Sequence, residues 1–278
     1  MQTVASKNEL QEAIQQGRDA GYPVAFVPTM GALHEGHLSL IREARKYTPF
    51  VVVSIFVNPL QFSAGEDFEV YPRTLEADSA KLEAMGVNVL FAPTVNDVYQ
   101  GNMNINQHAG HIGSVLEGHS RPDHFDGMLT VVSRLFDLVK PDYAIFGAKD
   151  AQQVFLVKQM AARSYPSLKI ITAPTIREAS GLALSSRNEN LTEHEHQVAQ
   201  HLYVALTLGK LAGSSPSAAL QAATSAIEQA PEAKLDYIAL VDANTFENVS
   251  DGFSGRALML IAAVVGQTRL IDNLEITF

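Results

Sequence analysis

Hydrophobic and polar positions follow one rhythm up to about Pro174 and another beyond it. In the first stretch, Val24 to Val27, Phe50 to Val57, Val87 to Ala92, Tyr143 to Gly147 and Lys169 to Ala173 are apolar runs that read as strands. Runs without strict alternation suit a parallel sheet covered on both faces. Helices are predicted between them. Ser6 with Glu9 makes a capping box for a helix ending near Gly21, Leu38 to Lys46 is amphipathic, and Thr74 to Met85 is stopped by Gly86. Met128 to Val139 is strongly apolar, and Ala151 to Arg163 precedes the Lys169 strand. Repeated β–α units of this kind predict an α/β fold with a doubly wound parallel sheet, which binds ligands beyond the C-terminal ends of its strands.

Beyond Pro174 the pattern changes. Thr192 with Glu195 makes a capping box for a helix to about Leu211, and Ser215-Pro216 opens another before Ala218. Strands are expected near Asp236 to Val241 and Ala257 to Val265. Gly213 to Ser217 reads as a flexible linker, and no internal repeat is evident. The expected division is a domain of residues 1–175 followed by a smaller α+β domain of residues 176–278.

Composition narrows the function. With 278 residues and 46% apolar content the chain has ample core for two domains. It has no cysteine, which excludes disulfides, thiolate metal sites and thiol nucleophiles. A net charge of −10 argues against a broad nucleic-acid surface, so any anion site is local. No signal peptide or membrane-spanning run is visible, and a cytoplasmic location is expected.

The densest chemistry lies in Val24-Ala-Phe-Val-Pro-Thr-Met-Gly-Ala-Leu-His-Glu-Gly-His37. Pro28 and Gly31 are expected to break the strand, which leaves His34 and His37 at a helix N-terminus, where unpaired N–H groups and the helix dipole favour an anion. Three readings compete. Each histidine can be a surface or capping residue. A helical zinc pair needs histidines at i and i+4, whereas these are three apart. The third is a nucleotide-binding His-x-Gly-His turn, with Gly36 admitting a close ligand; the strand, turn and helix around it favour this reading.

Two weaker signals join it. Lys149, in Gly147-Ala-Lys-Asp-Ala-Gln-Gln153, stands after a strand and is suited to neutralising a phosphate, although a solvated lysine in a βα turn fits equally well. Ser185-Ser186-Arg187 offers two hydroxyls and a fixed guanidinium suited to a polyphosphate. His194 and His196, two apart on a helix, point to different faces and read as surface residues.

Taken together, His34-Glu-Gly-His37, Phe56-Val-Asn-Pro-Leu-Gln-Phe62, Tyr71-Pro-Arg-Thr74, Arg121-Pro-Asp-His-Phe125, Gly147-Ala-Lys-Asp150 with Gln153, Leu184-Ser-Ser-Arg-Asn188 and Arg269-Leu-Ile-Asp-Asn273 resemble the pantothenate synthetase, or pantoate–β-alanine ligase, family. The resemblance spans nearly the whole chain. It implies a Rossmann-like domain for ATP and pantoate, a smaller C-terminal domain closing over the ATP site, and a homodimer. The implied reaction is ATP-dependent condensation of (R)-pantoate with β-alanine to pantothenate, AMP and pyrophosphate through a pantoyl adenylate, within pantothenate (vitamin B5) and coenzyme A biosynthesis.

The resemblance also distributes roles. Met30, Gly31, Ala32, Leu33, His34, Glu35, Gly36 and His37 would line the ATP site, with His34 and His37 near the phosphates and His37 donating a proton. Gly147, Ala148, Lys149 and Asp150 would hold the phosphates, Ile176 would meet the adenine end, Leu184 to Arg187 would close from the other side, and Ser185, Ser186 and Arg187 would stabilise the departing pyrophosphate. Gln61 and Gln153 would hold pantoate, with Gln61 also meeting β-alanine. Magnesium would accompany ATP, with Asp78 as the one suggested protein ligand. The chain departs from the family at Ala148 and Ala151, where an acid and an aromatic are common. A nucleotidyltransferase sharing the histidine turn, or a silent nucleotide-binding protein, are the alternatives.

Overall fold

The computed structural model describes residues 1–62, 68–69 and 71–278. The chain falls into two units, Met1–Ala148 with Gln152–Pro174, and Lys149–Ala151 with Thr175–Phe278. The short Lys149–Ala151 segment groups with the second unit.

The first unit opens with β1 (Gln2–Val4), α1 (Lys7–Asp19), β2 (Ala25–Thr29), α2 (Glu35–Ala44), β3 (Val51–Ile55), α3 (Leu75–Ala84) and β4 (Val89–Phe91). It continues with α4 (Val95–Tyr99), α5 (Glu117–Ser120), α6 (His124–Val139), β5 (Tyr143–Gly147), α7 (Ala151–Ser164) and β6 (Lys169–Ala173). All six strands are parallel, in the order β1-β4-β3-β2-β5-β6. The doubly wound sheet expected from the apolar runs is the one the chain forms. Its strands feed two cores. Phe26, Val52 and Phe91 pack with α1, α6 and α7, while Val27, Val53 and Leu90 pack with Leu40, Ile41 and Leu82 of α2 and α3.

The sheet's strand order reverses between β2 and β5, so a crevice is expected beyond their C-terminal ends. The backbone explains where it opens. Odd-numbered residues of β2 bond to β3, as Ala25 N–H to Phe50 O and Phe56 N–H to Thr29 O show, and even-numbered ones face β5. Pro28 faces β5 and has no N–H to give. Pairing with β5 accordingly covers only Ala25 and Phe26, while pairing with β3 runs on to Thr29. The expectation that Pro28 breaks the strand is corrected: it ends one ladder and leaves the other intact.

The second unit contains α8 (Glu193–Ala199), α9 (His201–Leu211), α10 (Pro216–Ile227), β7 (Ala233–Asp242), β8 (Arg256–Val265) and β9 (Thr268–Thr277). The three strands form an antiparallel sheet in chain order, packed on α9 and α10 through Leu202, Leu206, Ala219, Ala223, Met259 and Ile261. The helix expected from Thr192 to Leu211 is interrupted at Gln200, where Tyr203 N–H reaches back to Gln200 O in a tightened turn. The expected linker Gly213 to Ser217 is the turn of a helical hairpin: Ser215 caps α10, and Ser217 donates through its N–H and hydroxyl to Asp251. The third strand, β9, has no counterpart among the predicted elements. Among the described residues no helix is long and apolar enough to cross a membrane.

Gly17 in α1 shows how tightly the helices sit on the sheet. A Gly-to-Ala change inside an exposed helix ordinarily stabilises by about 1 kcal/mol. Here an added Cβ would stand 2.6 Å from ring carbons of Phe50. Gly17→Ala is therefore expected to destabilise, by about 1–3 kcal/mol in urea unfolding. A raised midpoint would show that the ring yields freely.

Candidate active site

The turn after β2 is built from unusual backbone held by one carboxylate. Gly31 and Ala32 both have positive φ, +88° and +50°, conformations that cost an alanine energy unless its surroundings enforce them. Asp78 supplies the enforcement. Its side chain is fully buried in the first turn of α3 and accepts from Ala32 N–H at 2.9 Å, Leu33 N–H at 2.8 Å and the Thr74 hydroxyl at 3.0 Å. Lys81, one helical turn on, donates to the Leu33 carbonyl at 2.5 Å, and Thr29 accepts the Gly31 N–H while bonding Ser54 O. Asp78 was expected to face magnesium; its oxygens are instead taken by three protein donors, which suits it to positioning the turn.

From that turn α2 begins, with His34 as its N-cap. The His34 Nδ1 accepts from Gly36 N–H at 3.1 Å, and the His37 Nδ1 accepts from His34 N–H at 3.3 Å. Both rings therefore carry their proton on Nε2, because Nδ1 must keep its lone pair to serve as a cap. The ring centroids lie 4.2 Å apart. Capping and phosphate chemistry, which the sequence left as alternatives, are compatible: each ring uses one nitrogen for the helix and keeps an N–H on the other. Glu35 points elsewhere, paired with Arg42 at the exposed surface.

Gln61 is brought to this turn from β3. A short 3-10 turn, Pro59–Gln61, is capped by Asn58, which is buried and accepts from Leu60 N–H and, at 2.5 Å, from the Tyr99 hydroxyl. The Asn58 amide donates to Gln61 Oε1 at 3.3 Å and to Gly127 O at 3.2 Å. With its oxygen engaged, Gln61 turns its NH2 toward Met30, whose sulfur lies at 2.9 Å. His124 Nδ1 lies 2.7 Å from the Gln61 carbonyl and fixes the backbone there. Gly127 permits the approach, since a Cβ at that position would lie 1.9 Å from Leu60 O. Asn58, His124 and Gly127 are supports whose role no apolar pattern reveals.

The two adjacent glutamines of α7 divide their work. Gln152 is buried, accepting from Glu117 N–H and donating to Ile112 O and Val115 O. Gln153 is half-buried, and its side chain makes no hydrogen bond among the described residues. Gly147 ends β5 beside Leu40 of α2, and Ala148 N–H closes on Ala173 O. The first unit thus brings together Met30 to His37 and Gln61.

In the second unit, Ile176 and Leu184 close a small hairpin, with Leu184 N–H on Ile176 O and a bridge between Arg177 and Ala183. The hairpin delivers Ser185, whose hydroxyl accepts from Arg187 N–H at 3.2 Å and caps a 3-10 turn over Ser186–Asn190. Lys149 is half-buried, has no salt-bridge partner among the described residues, and accepts at its carbonyl from Asn273 Nδ2 at 2.8 Å. Asp150 is exposed. His194 and His196 pair with different acids, Glu232 and Glu178, as residues on different helix faces do. Among the described residues no group of three acids or histidines is placed to hold a metal ion.

Comparison with known proteins gives a consistent result. A family model described as pantoate-beta-alanine ligase matches residues 2–275. A pantothenate synthetase of Acidothermus cellulolyticus is 50% identical over 258 residues, covering 91% of this chain and 85% of the relative. The crystal structure of pantothenate synthetase from Thermus thermophilus matches with a TM-score of 0.94 at 44% identity, over 100% of both chains. A pantoate-beta-alanine ligase from Francisella tularensis, complexed with beta-gamma ATP and β-alanine, matches with a TM-score of 0.79 at 37% identity, over 99% of this chain and 97% of that one.

The positioning role of Asp78 can be checked apart from catalysis. Asp78→Asn would turn an amide NH2 toward one of three donors, and a loss of about 1–3 kcal/mol in urea unfolding is expected. A change within about 0.5 kcal/mol, usual for a surface acid, would show that the turn does not depend on it.

Proposed function

The chain belongs to the pantoate–β-alanine ligase family, and we propose that it condenses (R)-pantoate with β-alanine at the expense of ATP, through a pantoyl adenylate, releasing AMP and pyrophosphate. The observation that carries this reading is the doubly capped histidine turn at the sheet's switch point, with the oriented amide of Gln61 beside it. A carboxylate is a poor acylating agent at neutral pH. Attack of a pantoate carboxylate oxygen on the α-phosphorus of ATP forms the mixed anhydride and expels pyrophosphate; the β-alanine amine then attacks the acyl carbon, expels AMP and gives up a proton. Neither step needs a protein nucleophile, which suits a chain without cysteine. What they need is alignment and charge stabilisation during phosphoryl transfer.

The residues present suit those needs. The Nε2–H groups of His34 and His37 are donors suited to phosphate oxygens, with His37 given the role of following charge as pyrophosphate departs. Met30 to Leu33 and Gly36 shape the nucleotide's bed, and Gly147 to Asp150 complete the phosphate cradle with Lys149 as its cation. Ile176 is assigned to the adenine end, Leu184 to the segment that closes over the ATP site, and Ser185, Ser186 and Arg187 to the leaving pyrophosphate. Gln61 and Gln153 hold pantoate, and an amide suits the task because it donates to a hydroxyl or carboxylate without adding charge. Gln61 also meets β-alanine.

Magnesium has its place as the companion of the ATP phosphates, whose oxygens and water form its usual shell. The described residues provide no cluster for a resident ion, and Asp78 is engaged within the protein, so no step is assigned to the metal. Family membership supports extending the reading to a cytoplasmic homodimer acting in pantothenate and coenzyme A biosynthesis.

Three outcomes are expected. Purified protein with magnesium, ATP and pantoate should release AMP continuously only when β-alanine is added; a product that retains AMP would instead identify a nucleotidyltransferase. His37→Ala should lower kcat by about two orders of magnitude or more, the scale of one lost transition-state donor, with little change in the unfolding midpoint. Gln153→Ala should raise the KM for pantoate about tenfold or more and that for ATP far less, consistent with one lost hydrogen bond to a charged group. Equal weakening of both substrates would reject that assignment.

A further inference from the structure

The second unit carries a polar chain that the reaction scheme leaves unused. Asp272 lies in the middle of β9, with only 4% of its surface exposed. It takes a two-pronged contact from Arg177, at 2.5 and 2.9 Å. Burial pushes its carboxyl above the ordinary carboxylate range, while Arg177, the Asn273 N–H and the Lys149 charge pull it back. The same guanidinium donates to Gly181 O at 3.1 Å and Asn273 O at 3.1 Å, and lies 4.4 Å over the Tyr203 ring. Gly181 has φ +93° and sits so close to that ring that a Cβ would come within 2.1 Å of it.

One rigid, planar group therefore ties two stretches of backbone. On one side is the turn of the hairpin that runs directly into Leu184 to Arg187; on the other is β9 at Asn273, whose N–H meets Asp272 at 2.7 Å and whose side-chain amide holds the Lys149 carbonyl at 2.8 Å. A buried ion pair is a poor device for stability, because desolvation offsets its attraction and an apolar pair of similar volume serves as well. A bidentate guanidinium fixes distance and direction far better than an apolar contact.

We propose that Arg177, Asp272 and Asn273 are positioning residues that set the spacing between Lys149 and the Ser185–Arg187 segment, and so the geometry of the phosphate-holding groups. This rests on the phosphate role given above to Lys149. Asn273 acts through Lys149, so its loss should matter only while the lysine is present.

A double-mutant cycle on the full chain reads this directly. Asn273→Ala should lower kcat for pantoate-dependent AMP release about tenfold with the pantoate KM within threefold. In a Lys149→Ala background, itself impaired, the same change should cost less than twofold more. Asn273→Ser, too short to reach the Lys149 carbonyl, repeats the test should the alanine variant fold poorly, and unfolding midpoints accompany both. Equal losses in the two backgrounds, or no loss in the wild-type background, would overturn the proposal, as would Lys149→Ala with full activity. The same cycle read in the dissociation constant of ATP measures the coupling without turnover: Asn273→Ala should weaken ATP at least threefold, and only when Lys149 is present. A wild-type protein that binds ATP yet forms no AMP would overturn the ligase reading while the binding cycle still decides this one.

Discussion

The grip of Asp78 on the backbone of Ala32 and Leu33 is the contact on which the first unit's chemistry depends. Two consecutive residues with positive φ do not persist unaided when one of them is an alanine. A buried carboxylate that accepts both following N–H groups turns that costly conformation into the preferred one. Everything downstream inherits the result: the entry angle of α2, the placing of His34 as a cap, and the tilted contact of His37 with it. Met30, one residue upstream, is held at the same time against the Gln61 amide, so a single turn sets the distance between the expected nucleotide and pantoate contacts.

The supports follow a common logic. Asn58 and His124 have little apolar value, yet both are buried and each makes one hydrogen bond to the amide or the backbone of Gln61. In the second unit Asp272 and Asn273 do the same for the Lys149 backbone and the hairpin beside it. Buried polar groups of this kind are stable only when fully partnered, and their partners restrict them to one arrangement. Sites built this way are stiff because their members have no second way of satisfying one another.

What the sequence revealed, and what it concealed, divides along that line. The parallel strands were legible because both faces of the sheet are apolar, and α1 and α3 because a capping box and a glycine stop mark their ends. The third strand of the second unit was concealed because Asp272 and Asn273 interrupt the alternation that would announce it, and they interrupt it for the sake of Arg177 and Lys149. The start of α6 at His124, four residues before the apolar run at Met128, was hidden in the same way by His124 and Gly127, which serve the Gln61 turn. Asp78 reads from the sequence as an acid on a helix that the resemblance offers to magnesium, since nothing in its neighbours along the chain shows that a turn 45 residues earlier lies against it. The histidines, the glutamines and the Ser-Ser-Arg run were legible as chemistry, whereas the groups that hold them in place were not.

Pro28 gives the sheet a property that no added side chain supplies. Two parallel strands side by side tend to pair along their full length, and a binding cleft between them would be lost if they did. An imino acid at the third residue past the start of that pairing works as a zipper stop: the missing hydrogen leaves β5 without its next donor, while the opposite ladder continues undisturbed. The early end of this ladder is in this sense written as an omission: it comes from a hydrogen that is missing rather than from a residue that props the strands apart.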